Sequence, residues 1–257
     1  MNYFYRDKLS ALYLGDTFDY LSKLPNECVD LIILDPPYFL SNGGFSNKGG
    51  KKVSVNKGSW DNPNKVDVEK FYSRLIKECH RILKKNGTLW IFGTYHNIYL
   101  AGYLLNKYNF KVLNNVTWVK ENPAENLSRR MLTHSSETII WAKKVSGIHV
   151  FNYEEMFILN GNKQLTDVWF TPTISQKEKI FGYHPTQKPL ALIKRILLCS
   201  AKKDFIVLDP FNGSGTTNVA CKLLDIRCIG VEQSKKFINI AKKRILNVQE
   251  NYIDEII

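Results

Sequence analysis

The 257-residue sequence predicts an α/β fold built on a largely parallel sheet, and three observations carry that expectation. Strand-like and helix-like segments alternate along the chain, the pattern of a sheet whose strands are joined by helical crossovers. Two apolar runs, Val29–Leu34 and Phe205–Leu208, are too continuous in Val, Ile and Leu for half-exposed strands and read as buried parallel ones. Each runs directly into a turn containing Asp, Pro and an aromatic residue, and open α/β sheets bind their ligands beyond the carboxyl ends of strands.

Taken in order, Val29–Leu34 is the first clear strand. A Gly-, Asn-, Lys- and Ser-rich stretch at 41–60 reads as a long mobile loop. From Asp67 to Leu83 the spacing predicts a helix with Phe71, Leu75, Ile76, Cys79, Ile82 and Leu83 on one face. Asn86-Gly87 supplies a helix stop and turn before a strand from Thr88 to Phe92. His96–Tyr108 reads as a helix; Lys111–Lys120 and Glu137–Ala142 read as strands. The polar, basic stretch from Asn122 to Ser136 lies between those two strands. Residues 143–183 show no clean alternation and read as an insertion that contacts the substrate. A helix follows at Lys188–Ala201, then the strand Phe205–Leu208, a glycine-rich turn and a helix starting near Thr216. The strand Arg227–Val231 and a last helix from Ser234 to about Val248 complete the chain.

Bulk composition narrows the class. With 44% hydrophobic and 12% aromatic residues there is ample material for a core, which excludes a disordered chain. No stretch approaches the roughly 18 apolar residues of a membrane span. The first residues, Met1 to Asp7, lack the basic start and apolar middle of a secretory signal, so the cytoplasm is the expected compartment. Cys28, Cys79, Cys199, Cys221 and Cys228 are scattered without a CxxC spacing; they read as reduced structural thiols, with neither disulfide framework nor metal. The net charge of +12 points to a polyanionic partner, in a cytosolic protein usually a nucleic acid.

Asp35-Pro36-Pro37-Tyr38 carries the chemistry. The prolines lack ladder donors and stiffen the backbone, leaving carbonyl oxygens without an internal partner. Asp35 and those carbonyls suit the two N–H groups of an exocyclic amine, and Tyr38 offers a face for a planar base. The second constellation is Asp209-Pro210-Phe211-Asn212-Gly213-Ser214-Gly215-Thr216, whose glycines allow close backbone approach to a ligand. Glu232 ends the next strand at close to the 20-residue spacing of an acid that binds ribose hydroxyls. No Lys-Thr or Lys-Ser follows the glycines and GxGxxG is not satisfied, so this is neither a phosphate loop nor a dinucleotide fingerprint. A nucleoside without pyrophosphate remains, and S-adenosylmethionine fits.

These two motifs, in this order, with His184-Pro185-Thr186-Gln187-Lys188-Pro189 between them, resemble the amino-group DNA methyltransferases of the β arrangement. Asp35 to Gly44 together with Thr133-His134-Ser135-Ser136-Glu137-Thr138 is similar to the smaller adenine methyltransferases of GATC-type restriction systems, which also act on single strands. The resemblance covers nearly the whole chain. It implies a Rossmann-like, mostly parallel methyltransferase sheet with helices on both faces, and one catalytic domain over 1–257. It further implies N6 methylation of adenine in DNA, with S-adenosylmethionine as cofactor. Residues 143–183 then serve target recognition and 41–60 contact DNA. Carried over, Asp35 and the Pro36 carbonyl accept the adenine amine, next to Pro37, and Tyr38 stacks on the flipped base. Asp209, Pro210, Phe211, Asn212, Gly213, Ser214, Gly215 and Thr216 surround the cofactor; Glu232 holds its ribose, Asp16 lies near its adenine, and Thr186 and Lys188 lie at its methionine part.

Lys48, Lys51, Lys52, Lys57, Arg129 and Arg130 are the candidate phosphate contacts. Trp60, Trp169 and Tyr183 are either base-stacking or core rings. Methylation of cytosine N4, RNA amine methylation and a non-catalytic cofactor-sensing binder remain open, as do a partner restriction endonuclease and a homodimer.

Overall fold

Val29–Leu34 forms β3, the central strand of a nine-stranded sheet, in the computed structural model of the protein. The structure describes residues 3–40, 45–48, 51–54, 66–126 and 129–248. Alternate residues of β3 enter opposite cores, as a strand's period of two requires. Leu31 and Ile33 pack with α5 (Leu190–Ser200), α6 (Thr216–Leu223) and α7 (Lys235–Leu246). Ile32 and Leu34 pack with α1 (Thr17–Leu21), α2 (Val68–Ile82) and α3 (Ile98–Lys107). Helices therefore cover both faces, as the apolar runs require, and no helix among the described residues is long and apolar enough to cross a membrane.

On one side β3 pairs in parallel with β10 (Ile206–Asp209), Val207 opposite Leu31 and Leu208 opposite Ile32. Beyond β10 lie β11 (Arg227–Glu232), β2 (Ser10–Leu14) and β1 (Tyr5–Arg6). On the other side come β6 (Leu83–Gly93), β8 (Ser136–Lys144), β7 (Phe110–Lys120) and β9 (Val168–Thr171). Only β1 and β8 run against the rest. Because β3 and β10 are neighbours, Asp35 and the glycine turn leave the sheet side by side.

Four expectations change. The strands β1 and β2 and the short α1 precede the first strand read from sequence; they are short, and β2 buries only Ser10 and Leu12. Asn86-Gly87 is not a turn between helix and strand. The chain passes straight from α2 into β6, with Leu83 opposite Val29 and a register shift before Leu31 and Thr88 pair. Gly87 permits this because a Cβ there would lie 2.7 Å from the Asp30 carbonyl oxygen. Residues 143–183 are not wholly irregular: they contain α4 (Tyr153–Leu159) and β9, which extends the main sheet by pairing with β7. Within 41–60, β4 (Phe45–Lys48) and β5 (Lys51–Ser54) form an antiparallel hairpin where a loop was expected.

Candidate active site

The helix α2 shows how the site acquires its walls. Its buried face is Tyr72, Leu75, Ile76, Cys79 and Ile82, so Tyr72 rather than Phe71 belongs to the core. The Tyr72 hydroxyl donates to the Pro37 carbonyl at 3.2 Å, pinning the backbone just after β3. That carbonyl, expected to lack an internal partner, therefore has one. Phe71 turns instead to a cavity of about 260 Å³, which it lines with Phe18, Phe39, Phe211 and Phe237.

All four residues of Asp35-Pro36-Pro37-Tyr38 border this cavity, facing Pro210, Phe211 and Gly213 across the junction of β3 and β10. Glu232 and Asp16 border it too, from the ends of the paired strands β11 and β2. Asp16 also caps α1, accepting from the amides of Phe18 at 2.8 Å and Asp19 at 3.1 Å. Thr186 lies on the same wall, beside His184. Six residues expected on the cofactor side, Asp16, Thr186, Pro210, Phe211, Gly213 and Glu232, are thus brought to one cavity by the fold.

The glycine turn is held from below. Gly213 and Gly215 have φ of +50° and +80°. Glu232 accepts from the Gly213 amide at 2.9 Å and from the Ser234 amide at 2.7 Å. Its carboxyl titrates above the usual range because burial disfavours its charge. Asp209 does not line this cavity. It turns inward, accepting from the Phe211 amide at 3.0 Å and the Thr217 hydroxyl at 2.5 Å, and burial pushes its pKa up to about 7. Ser214 and Thr216 likewise face inward to Arg244, whose Nη1 donates to the Ser214 carbonyl at 2.9 Å and to Thr216 Oγ1 at 2.9 Å. Arg244 is wholly buried. Asn212 is buried as well, beside Gly230, where a Cβ would lie 2.5 Å from the Asn212 Cγ.

The Lys188 ammonium lies 2.7 Å from both carboxylate oxygens of Asp35, rather than on the wall of that cavity. Tyr38 is buried, and its hydroxyl donates to Asp35 at 2.9 Å and to Glu137 at 3.3 Å. Glu137 in turn pairs with Lys120 at 2.7 Å and stands 3.6 Å from Lys188. Burial lowers the Lys188 pKa, but the Asp35 and Glu137 charges outweigh it and the group titrates above its ordinary value. The Tyr38 hydroxyl is pushed well up, first by burial and then by the same two carboxylates. The strand end is thus a closed charge chain, Lys120–Glu137–Tyr38–Asp35–Lys188. Glu137 lies inside the Thr133–Thr138 stretch, but no sequence signal gives it this place; of the aromatic walls only Phe211 carries one, and Arg244, Phe18, Phe39 and Phe237 carry none.

Of the candidate phosphate contacts, Arg129 and Arg130 are exposed on the segment between β7 and β8. Lys48, Lys51 and Lys52 belong to the hairpin strands, and Lys57 lies outside the described residues, as does Trp60. Trp169 is a core ring beside Trp90, which stacks on Trp141 at 4.8 Å; Tyr183 is half exposed.

This arrangement has counterparts among known proteins. The DNA methylase family with N6 and N4 members matches residues 29–243. The type II methyltransferase M2.MboI of Moraxella bovis is 49% identical over 240 residues, 93% of this chain and 88% of that one. M2.DpnII of Streptococcus pneumoniae is 48% identical over 246 residues, 95% and 91% of the two chains. The crystal structure of the M1.HpyAVI–SAM complex superposes with a TM-score of 0.68 at 30% identity, over 92% of this chain and 99% of the other.

Proposed function

The chain belongs to the DNA methylase family, and from that premise we propose that it methylates the N6 amine of adenine in DNA, within GATC, using S-adenosylmethionine. One observation carries the reading: Asp35-Pro36-Pro37-Tyr38 and the turn Gly213-Ser214-Gly215 leave adjacent parallel strands, and residues of both border one cavity.

The residues present fit the cofactor. S-adenosylmethionine supplies an electrophilic methyl group on a sulfonium. Glu232, at the cavity wall, spends one lone pair of each oxygen on backbone amides and keeps further acceptor capacity for ribose hydroxyls. Phe211 and the other rings supply apolar contact, Asp16 serves the adenine, and Thr186 serves the methionine part. Asp209, Asn212, Ser214, Gly215 and Thr216 act by shaping the turn. Lys188 acts on Asp35 rather than on the cofactor.

An adenine amine is a weak nucleophile because its lone pair is delocalised into the ring. Asp35 and the Pro36 carbonyl accept its two N–H groups, which favours a pyramidal nitrogen aimed at the methyl. The rate gain is chiefly positioning, with the Asp35 charge stabilising the cationic amine as it forms. The carboxylate has lone pairs enough for both Lys188 and a substrate amine. The base must leave the helix to reach this site, and Tyr38 is the ring against which it packs. A single-stranded substrate avoids part of that cost.

In this reading the chain is one catalytic domain. Residues 143–183 read the target, and the strands β4 and β5 and Arg129–Arg130 hold DNA. The compartment is the cytoplasm, and a cognate restriction endonuclease and a second copy of the chain are partners. Cytosine N4 methylation uses the same acceptors, but Asp35 in place of a serine before Pro-Pro-Tyr favours adenine. Base-modification mapping of DNA from cells expressing the chain tests the proposal: N6-methyladenine in GATC is expected, and unmodified DNA or N4-methylcytosine defeats it.

A further inference from the structure

The segment between β7 and β8 leaves the sheet at the edge where Asp35 ends β3. Gly93, at the end of β6, pairs with Thr138, and Val119 of β7 pairs with Ser136. The segment presents Arg129-Arg130-Met131-Leu132, all exposed, with Leu132 at 90% and Met131 at 61%. Arg129 holds a φ of +52°, so the chain turns sharply into this stretch. The stretch is braced from behind. The Asn126 side-chain amide donates to the Met131 carbonyl at 2.9 Å, and the His134 ring stacks on Tyr95 at 5.0 Å. At its roots, Lys120 and Glu137 form the ion pair whose carboxylate also accepts from Tyr38.

A single exposed leucine carries no message; Ile148 is 83% exposed at the opposite edge of the same sheet. Here, however, two adjacent apolar side chains stand beside two guanidinium groups, at the catalytic edge, on a braced turn. Leucine and methionine in such company are the side chains that proteins insert between base steps, with arginines on the phosphates. Burying a leucine side chain in the stack yields a gain comparable with the cost of unstacking one base.

Resting on the DNA-methylation reading above, we propose that Leu132, assisted by Met131, is the wedge that enters the duplex where the target base leaves it. Arg129 and Arg130 hold the flanking phosphates. The occupant of this surface is duplex DNA.

The test compares Leu132→Ala and the double variant Met131→Ala/Leu132→Ala with the wild-type protein on duplex and single-stranded DNA of one sequence. A wedge is needed only where a stack must be opened. Duplex kcat/KM should fall at least about tenfold, the scale of a lost apolar contact, while single-strand kcat/KM stays within about twofold. With 2-aminopurine at the mapped target position, the fluorescence rise seen on wild-type binding should be lost in both variants. Leu246→Ala, an exposed leucine at the end of α7, should behave as wild type on both substrates. Equal losses on the two substrates, or unchanged duplex activity, would overturn the wedge alone. A wild-type protein that methylates neither substrate would overturn the methylation reading and the wedge with it.

Discussion

Lys188, just before α5, reaches the catalytic strand end at Asp35, the ammonium lying 2.7 Å from each carboxylate oxygen. Lys188 stands at the entry to α5 and is only 8% exposed, while the Asp35 side chain keeps 21% of its surface open at the cavity wall. Removing Lys188 leaves the Asp35 charge uncompensated but partly solvated, at a cost of about 1–3 kcal/mol, below that of a fully buried pair. Lys188→Met should therefore lower stability by that order in urea unfolding. It should also depress kcat sharply while leaving S-adenosylmethionine affinity near wild type, with Lys188→Arg recovering part of the rate. A large loss of cofactor affinity with kcat intact would instead return Lys188 to the methionine part of the cofactor.

Asp35→Ala should abolish methyl transfer while cofactor binding persists. The cofactor side of the cavity is built by Glu232, Phe211 and the glycine turn, none of which hydrogen-bonds to Asp35. Transfer of labelled methyl and calorimetric titration of S-adenosylmethionine separate the two. Activity comparable with wild type would remove Asp35 from the reaction.

Asp209 should leave a mark on the pH dependence of stability. Burial raises its pKa from 3.8 to about 7, so the folded state holds its proton more tightly than the unfolded chain does. By linkage, its contribution is fully present below about pH 4 and is lost as pH rises through about 7. Glu232 shifts in the same direction but is common to wild type and variant. In Asp209→Asn the residue cannot ionise. The stability difference between the two proteins should move against wild type by a few kcal/mol between about pH 5 and about pH 8. A difference flat across that range would contradict the buried, proton-holding Asp209.

DNA affinity should fall steeply with salt, log Kd varying linearly with log salt concentration, because each neutralised phosphate releases counterions. Arg129→Ala and Arg130→Ala should each reduce the slope by about one and weaken all sequences alike. Slopes unchanged in both variants would take these guanidinium groups off the backbone.

How much of this was legible in the sequence depends on whether the signal is local. Val29–Leu34 and Phe205–Leu208 announce themselves because burial on both faces demands a nearly continuous run of apolar residues, broken here only by Asp30. Their pairing as β3 and β10 is not local: it joins segments from opposite ends of the chain, and parallel register leaves no hairpin to read. The face of α2 was read one residue off at Phe71, since Tyr72 looks amphipathic but spends its hydroxyl on Pro37 and Asn97 inside the core. Glu137 and Arg244 are single charges whose partners come from other elements. Nothing short of the fold distinguishes them from solvated surface residues.

The glycine turn offers a test in which strain and crowding separate. At Gly161 φ is +68° and an added Cβ meets nothing within 4 Å. Gly161→Ala therefore incurs backbone strain alone, about 1 kcal/mol. At Gly215 φ is +80° and the Cβ would also lie 2.7 Å from the Ala241 Cβ and 3.0 Å from its Cα. Ala241 is a buried residue of α7, the helix that also carries Arg244, so neither methyl nor backbone can withdraw without disturbing the contacts to Ser214 and Thr216. Gly215→Ala should cost several kcal/mol, clearly more than Gly161→Ala, and should weaken cofactor binding as the turn shifts toward the cavity. Urea unfolding and calorimetric titration of the two variants read both effects. Equal costs and an unchanged cofactor affinity would mean that α7 does not set the position of the turn.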